Sequence, residues 1–263
     1  MIEGRERLLG HLRGEEERAV GARVCDLIEI ALRDEKPVGT DFLDPFQQQV
    51  AAGILESVPE VSYRSYGGYP AAERRRLLIF PHYYLVELLE DPVTAIDVTV
   101  KSAFDEASHR DCLGALLGTG IAREKIGDVI VTARGCQAVV ARESAEYIVG
   151  ALRRVGRAPA EAREIDPEQL EVEPERVREI RTTVASLRLD AVASAGFGAS
   201  RTKMAREIKA ERVKVNWKPV RDPAHPVAQG DVLSIRGRGR VVVEEVQDTT
   251  RKGRINVLLK RMS

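Results

Sequence analysis

Apolar positions first recur at helical spacing in Val20, Val24, Leu27, Ile28 and Leu32, and that pattern predicts a helix. Pro37, Gly39 and Asp41 interrupt it. A second helix is predicted over residues 45–57, with Pro45 at its start and Val50, Ile54 and Leu55 apolar. Val61–Tyr66 is strand-like, and Gly67, Gly68 and Pro70 then mark a turn. Residues 1–75 therefore read as a mostly helical N-terminal domain.

The middle of the chain has a different rhythm. Residues 77–80 are continuously apolar, and residues 95–100 alternate in part. Leu113, Leu116 and Leu117 share one side of a short helix after Ser108. Residues 128–132 and 137–141 read as paired strands around Gly135, residues 143–155 as a helix, and residues 172–184 as a further strand. From residue 95 the order is βαββαβ, the ferredoxin-like pattern, within a domain spanning residues 76–185. Residues 157–175, with three prolines and many charges, read as an edge strand or a linker.

Two short helices open the last segment, residues 186–263. Leu187, Leu189, Val192 and Ala193 form the apolar set of the first, and Gly196-Phe197-Gly198 makes the turn. Ser200 is placed as an N-cap for a helix over residues 201–210. Met204, Ala205 and Ile208 share one side of it, and Lys203, Arg206 and Lys209 cluster on the other. Arg201 projects from the helix end, where the positive dipole and free N–H groups favour a phosphate. A solvated amphipathic helix is the alternative reading of this pattern. Residues 213–216 then read as a strand, Trp217-Lys218 as its turn and Pro219-Val220 as the return. Residues 231–235 form another strand, and residues 241–246 and 255–259 a closing hairpin. The overall class is α+β.

Charge sharpens the picture. The chain has no net charge, yet residues 186–263 hold 17 Lys+Arg against 8 Asp+Glu, and the remainder is acidic to the same extent. A basic module on an acidic body points to a polyanionic partner. No apolar run is long enough to span a bilayer, and the charged N-terminal stretch reads as no secretory signal. Cys25, Cys112 and Cys136 are far apart with no CxxC pair, so neither a disulfide framework nor a zinc site is expected, and a reducing cytoplasm fits.

Certain residues carry resemblances. Arg188-Leu189-Asp190, Ser200-Arg201 with Lys203, Val213-Lys214-Val215-Asn216 and Gln229-Gly230-Asp231 together resemble the RNA-binding domain named after the ribosomal S-four protein (the αL motif). That resemblance implies that the helix pair and adjoining strand grip structured RNA by backbone and shape. Most members have a small residue where this chain has Trp217; the ring would stack on a base or ribose, or cover Pro219 or Pro223. Upstream, Gly39-Thr40-Asp41-Phe42-Leu43-Asp44-Pro45, Gly67-Gly68-Tyr69-Pro70-Ala71-Ala72-Glu73-Arg74, residues 110–118 and residues 123–128 are similar to the YlmH family. That likeness spans nearly the whole chain. It implies a ribosomal setting: the large subunit and quality control of stalled nascent chains. Some plastid and cyanobacterial relatives carry a photosystem II label.

The expected function is a non-enzymatic RNA-binding adaptor for ribosomal RNA, transfer RNA or both on the ribosomal large subunit, cytoplasmic, with no cofactor, metal or membrane partner. Its candidate contacts are Arg188, Ser200, Arg201, Lys203, Arg206, Lys209, Lys214, Asn216, Trp217 and Lys218. The run Arg74-Arg75-Arg76, near Tyr63, Tyr66 and Tyr69, is a candidate second contact. The alternative is an RNA-modifying enzyme, of pseudouridine synthase or methyltransferase type, docked through the same module. Arg188-Leu189-Asp190 resembles the catalytic aspartate motif of pseudouridine synthases, but Ala191-Val192-Ala193 lacks the Thr/Ser-Gly end of that motif. Neither Gly114 with Gly118 and Gly120 nor Gly196-Phe197-Gly198 sits between a strand and a helix as a dinucleotide loop requires. His82, His109, Cys112 and Cys136 match no metal-ligand spacing. A third class is a protein scaffold meeting partners through acidic N-terminal helices.

Overall fold

The computed structural model describes residues 5–101, 107–173, 177–235, 237–250 and 253–262. The chain divides into two compact units, residues 1–172 and 173–263, and each is described by itself.

The first unit begins with α1 (Arg5–Leu9) and α2 (Glu15–Asp34). The apolar stripe read from the sequence is the buried side of α2: Val24, Leu27 and Ile28 are almost wholly inaccessible. β1 (Val38–Gly39) leads to α3 (Pro45–Leu55), whose start is fixed by Asp44. The Asp44 carboxylate accepts from the Gln47 amide at 2.9 Å, and the Gln47 side chain accepts in return from the Asp44 amide at 3.0 Å. β2 (Val61–Tyr66) and β3 (Arg76–Pro81) complete a three-stranded sheet of order β1-β3-β2. Helices α2 and α3 pack with Leu77 and Ile79 of β3 in one core. The apolar run at residues 77–80 thus belongs to this first sheet, so a boundary between residues 75 and 76 would cut an element from its partners.

The same unit continues with β4 (Val93–Val100), α4 (His109–Gly118), β5 (Ile126–Thr132), β6 (Gly135–Ala141), α5 (Ala145–Ala151), β7 (Arg154–Val155) and β8 (Ala158–Ile165). The sheet order is β5-β6-β4-β8-β7, all antiparallel. Without β7 this is the ferredoxin-like arrangement, as expected, but its fourth strand is β8 rather than residues 172–184. The helix expected over residues 143–155 also ends early. Leu152 is extended, and the chain turns through Gly156 at φ 57° into the β7–β8 hairpin. Helices α4 and α5 cover one sheet face through Cys112, Leu116, Ile148 and Leu152.

The second unit opens with β9 (Val177–Val184), followed by α6 (Leu189–Phe197), α7 (Arg201–Lys209), β10 (Val213–Val215), β11 (Lys218–Pro219), β12 (Val232–Ile235), β13 (Gly239–Thr249) and β14 (Ile255–Met262). The six strands follow the order β11-β10-β12-β13-β14-β9. β9 pairs with β14 over its full length, from Val177 opposite Met262 to Val184 opposite Ile255. This strand was expected in the middle sheet. It belongs here because Ile180 and Val184 join the core under α6, and β8 has already filled the middle sheet's fourth place. The unit therefore begins upstream of residue 186. Gly196 lets α6 approach β13 closely: a Cβ there would lie 2.6 Å from Val241 Cγ1.

Candidate RNA-binding surface

α6 and α7 meet at Gly198, which ends α6 in the left-handed conformation at φ 64°. Ser200 then caps α7, its hydroxyl accepting from the Lys203 amide at 3.3 Å. Met204 and Ile208 turn into the core, so Arg201, Lys203, Arg206 and Lys209 are left exposed on the other side. Among the described residues, no carboxylate lies within ion-pair distance of Lys203, Arg206 or Lys209. Because the Ser200 hydroxyl is engaged as a cap, S200A is expected to lower stability by about 1 kcal/mol. RNA affinity should change little; chemical unfolding and a binding titration of the variant check both.

The cluster has an internal organiser. Asp190, on the first turn of α6, is nearly buried and accepts from Arg188 Nε at 3.2 Å and Arg201 Nη2 at 2.7 Å. Burial pushes its carboxyl up, but the hydrogen bonds from Arg201 and Arg188 outweigh that and hold it below the usual carboxylate range. One carboxylate thus orients two exposed guanidinium groups, each keeping further N–H donors for a ligand. The Arg-x-Asp spacing places Asp190 beside Arg188 along the chain, whereas its bond to Arg201 depends on α7 folding back beside α6.

The hairpin after α7 departs from the expected geometry. The turn is Asn216-Trp217, one residue earlier than predicted, and Lys218 already begins β11. Both turn residues have positive φ, 49° and 64°, as the tight two-residue connection demands. A tryptophan in that conformation carries strain of roughly 1–2 kcal/mol. Its ring is partly buried. The Asn216 side chain is a staple: it donates to Asp231 Oδ1 at 2.8 Å and accepts from the Val232 amide at 2.9 Å. Lys214 lies between Val213 and Val215, which face the helices, so it projects from the opposite side of the sheet. Lys214 is therefore not in one cluster with the α7 cations, and Asn216 serves the fold.

The upstream arginine run is also mainly structural. Arg76 is only 5% exposed; it donates to Thr40 O at 2.6 Å and Pro92 O at 2.7 Å and pairs with Glu143 at 2.8 Å. It is removed from the candidate RNA contacts. Arg74 donates to Phe42 O at 2.7 Å and Ile126 O at 3.3 Å, and Arg75 to Ala72 O and Pro70 O. Asp128 receives the amides of Glu73 and Arg74 and the Tyr69 hydroxyl at 2.7, 3.0 and 2.8 Å. The run thus fastens the first sheet's loop to β5. Tyr66 and Tyr69 pack with Phe42 and Val139, as core tyrosines do, while Tyr63 bonds Glu56.

Among the described residues there is no His/Cys/Asp/Glu grouping suited to a metal, and no helix is long and apolar enough to cross a membrane.

Comparison with known proteins agrees with this layout. Residues 16–84 match the family described as "YlmH, N-terminal", residues 91–169 "Putative RNA-binding domain in YlmH", and residues 187–233 "S4 domain". The chain is 37% identical over 222 residues to the "Ribosome-associated protein quality control protein P2" of Bacillus subtilis, covering 84% of this chain and 86% of that one. It is 37% identical over 70 residues to "Small ribosomal subunit protein uS4" of Desulfotalea psychrophila, covering 25% of this chain and 33% of that one. The structure is similar to "Cell division protein ylmH from Streptococcus pneumoniae", with TM-score 0.51 and 20% identity, over 60% of this chain and 97% of that one. That last likeness concerns the fold.

Proposed function

The chain belongs to the YlmH family, and from that premise we propose that it is a non-enzymatic adaptor that grips structured RNA on the ribosome. The RNA is ribosomal RNA, transfer RNA or their complex, and the setting is large-subunit or stalled-nascent-chain quality control in the cytoplasm. The name of the Bacillus subtilis relative supports the ribosomal setting. The observation that carries the reading is the Ser200-capped helix with Arg201, Lys203, Arg206 and Lys209 exposed together. Asp190 holds Arg201 and Arg188 ready beside it. Lys218 and Trp217 extend the surface along the hairpin, and Lys214 would reach RNA only from the sheet's other face.

The enzymatic alternative gains nothing from Asp190, whose carboxylate is ion-paired to two arginines. The reading is tested by equilibrium binding of the full chain to folded large-subunit ribosomal RNA as salt is raised. Four or five phosphate contacts at this surface predict a log–log slope of about −3 to −4 or steeper. Affinity independent of salt would overturn it.

A further inference from the structure

The middle sheet raises a separate question: where would an RNA touch it? In sheets that bind single strands, aromatic side chains on the central strands stack with bases. Here the central strands β4 and β6 carry no aromatic residue. The face away from α4 and α5 is also closed. Phe42, Tyr66, Tyr69 and Leu170 pack against Val93, Val139 and Ala141, all three wholly buried. The Glu171 amide donates to the Gln137 side chain at 2.6 Å, and Asp97 is paired with Arg163. Neither face of this sheet is open as a base-stacking platform.

The open edge is different. β7 is the outermost strand, and the β7–β8 hairpin turns at Gly156-Arg157 between Val155 and its partner Ala158. Val155 and Ala158 are buried and anchor it. Arg154 on β7, Arg157 in the turn and Arg153 just before β7 are all exposed. Arg153 donates to Leu152 O at 2.9 Å and Val149 O at 3.2 Å, and Arg154 to Arg157 O at 2.8 Å. These carbonyls brace the guanidinium groups of Arg153 and Arg154 without neutralising them, and each retains further N–H donors. Among the described residues, none of the three has a carboxylate within ion-pair distance. The chain holds no acidic residue between Glu146 and Glu161. In a strongly acidic unit, this is a concentrated and braced positive site.

We propose that Arg153, Arg154 and Arg157 form a second RNA-backbone contact of this chain, made by the edge hairpin of the middle domain. Three guanidinium groups on a tight edge hairpin and the residue that enters it suit phosphate oxygens, which accept planar paired donors. RNA is favoured over an acidic protein because residues 91–169 match a putative RNA-binding domain and the second unit presents its own phosphate-suited cluster. The proposal rests on the reading that the chain binds structured RNA.

The test measures binding of the full chain to folded large-subunit ribosomal RNA, long enough to reach both units. Four proteins are compared: wild type, R153E/R154E/R157E, its milder R153Q/R154Q/R157Q counterpart, and R201E/K203E. The Glu triple variant is expected to bind on the order of tenfold more weakly near 0.15 M salt, with a log–log salt slope shallower by about 2. The Gln variant should move in the same direction by less. In wild type, photo-crosslinked RNA should map by mass spectrometry to the peptide holding residues 153–157. Unchanged affinity, slope and crosslinks in both triple variants, with R201E/K203E still weakened, would overturn this proposal alone. A wild type that binds no RNA would overturn it together with the reading beneath it.

Discussion

R201E/K203E is expected to bind folded large-subunit ribosomal RNA on the order of a hundredfold more weakly than wild type near physiological salt, with the fold retained and its thermal midpoint only modestly lowered. Two phosphate contacts are lost and two repulsions are introduced at the mouth of a helix N-terminus. The fold should tolerate the change, because both side chains are exposed and Lys203 contributes to the cap through its backbone amide alone. Arg201→Glu leaves the nearly buried Asp190 with Arg188 as its remaining partner and sets a second carboxylate beside it, so a modest loss of stability accompanies the loss of binding. Binding titration and thermal melting of the same sample separate the two effects. A variant that binds like wild type would mean that the α7 cations are solvated charge and nothing more.

The largest effect on stability is expected at Arg76. R76M should lower the free energy of unfolding by about 2 kcal/mol, chiefly because two carbonyls lose the donor of a buried guanidinium, while its partner Glu143 is half exposed. Its guanidinium satisfies two carbonyls, Thr40 O and Pro92 O, and holds Glu143 through two bonds. Methionine fills the space but satisfies neither carbonyl. Burial pushes the Glu143 carboxyl up, but hydrogen bonds from Arg76, the backbone and Lys125 outweigh this and bring it to about 2. The depressed value means that the pair stabilises the fold at pH above the ordinary glutamate range. Its contribution fades as pH falls toward about 2. Chemical unfolding of wild type and R76M should therefore differ most near neutrality, and the gap should narrow in acid to the part that the carbonyl bonds contribute. An equal gap at every pH would show that Arg76 acts through its carbonyl partners and packing alone.

Much of this architecture was legible because periodicity and caps agreed with packing. The apolar stripe from Val20 to Leu32 needed a helix, and Ser200 announced the start of α7. The middle topology was legible in outline, yet its last strand was misplaced. β8 presents alanines, Ala158, Ala160 and Ala162, to the helices, so its inward face is too small to register as an apolar strand. β9 offered Ile180 and Val184, but a strand's sequence does not say which sheet it joins. That depends on β14, more than seventy residues away in the chain. The same limit governed the sites. Arg74, Arg75 and Arg76 look like a basic patch in sequence, and only the carbonyls and carboxylates folded around them reveal a fastening. Conversely, Arg153, Arg154 and Arg157 sit in a stretch whose sequence reads as a helix end followed by an edge strand or a linker. The tight turn at Gly156 is what brings Arg157 back to Arg154.

The most direct measurement is crosslinking in cells followed by sequencing of the RNA bound to the full chain. Recovery concentrated on one ribosomal RNA helix, on transfer RNA or on both, and lost in R201E/K203E, is the predicted result. Recovery spread in proportion to RNA abundance, and unchanged by that variant, would contradict a structured-RNA adaptor built on α7.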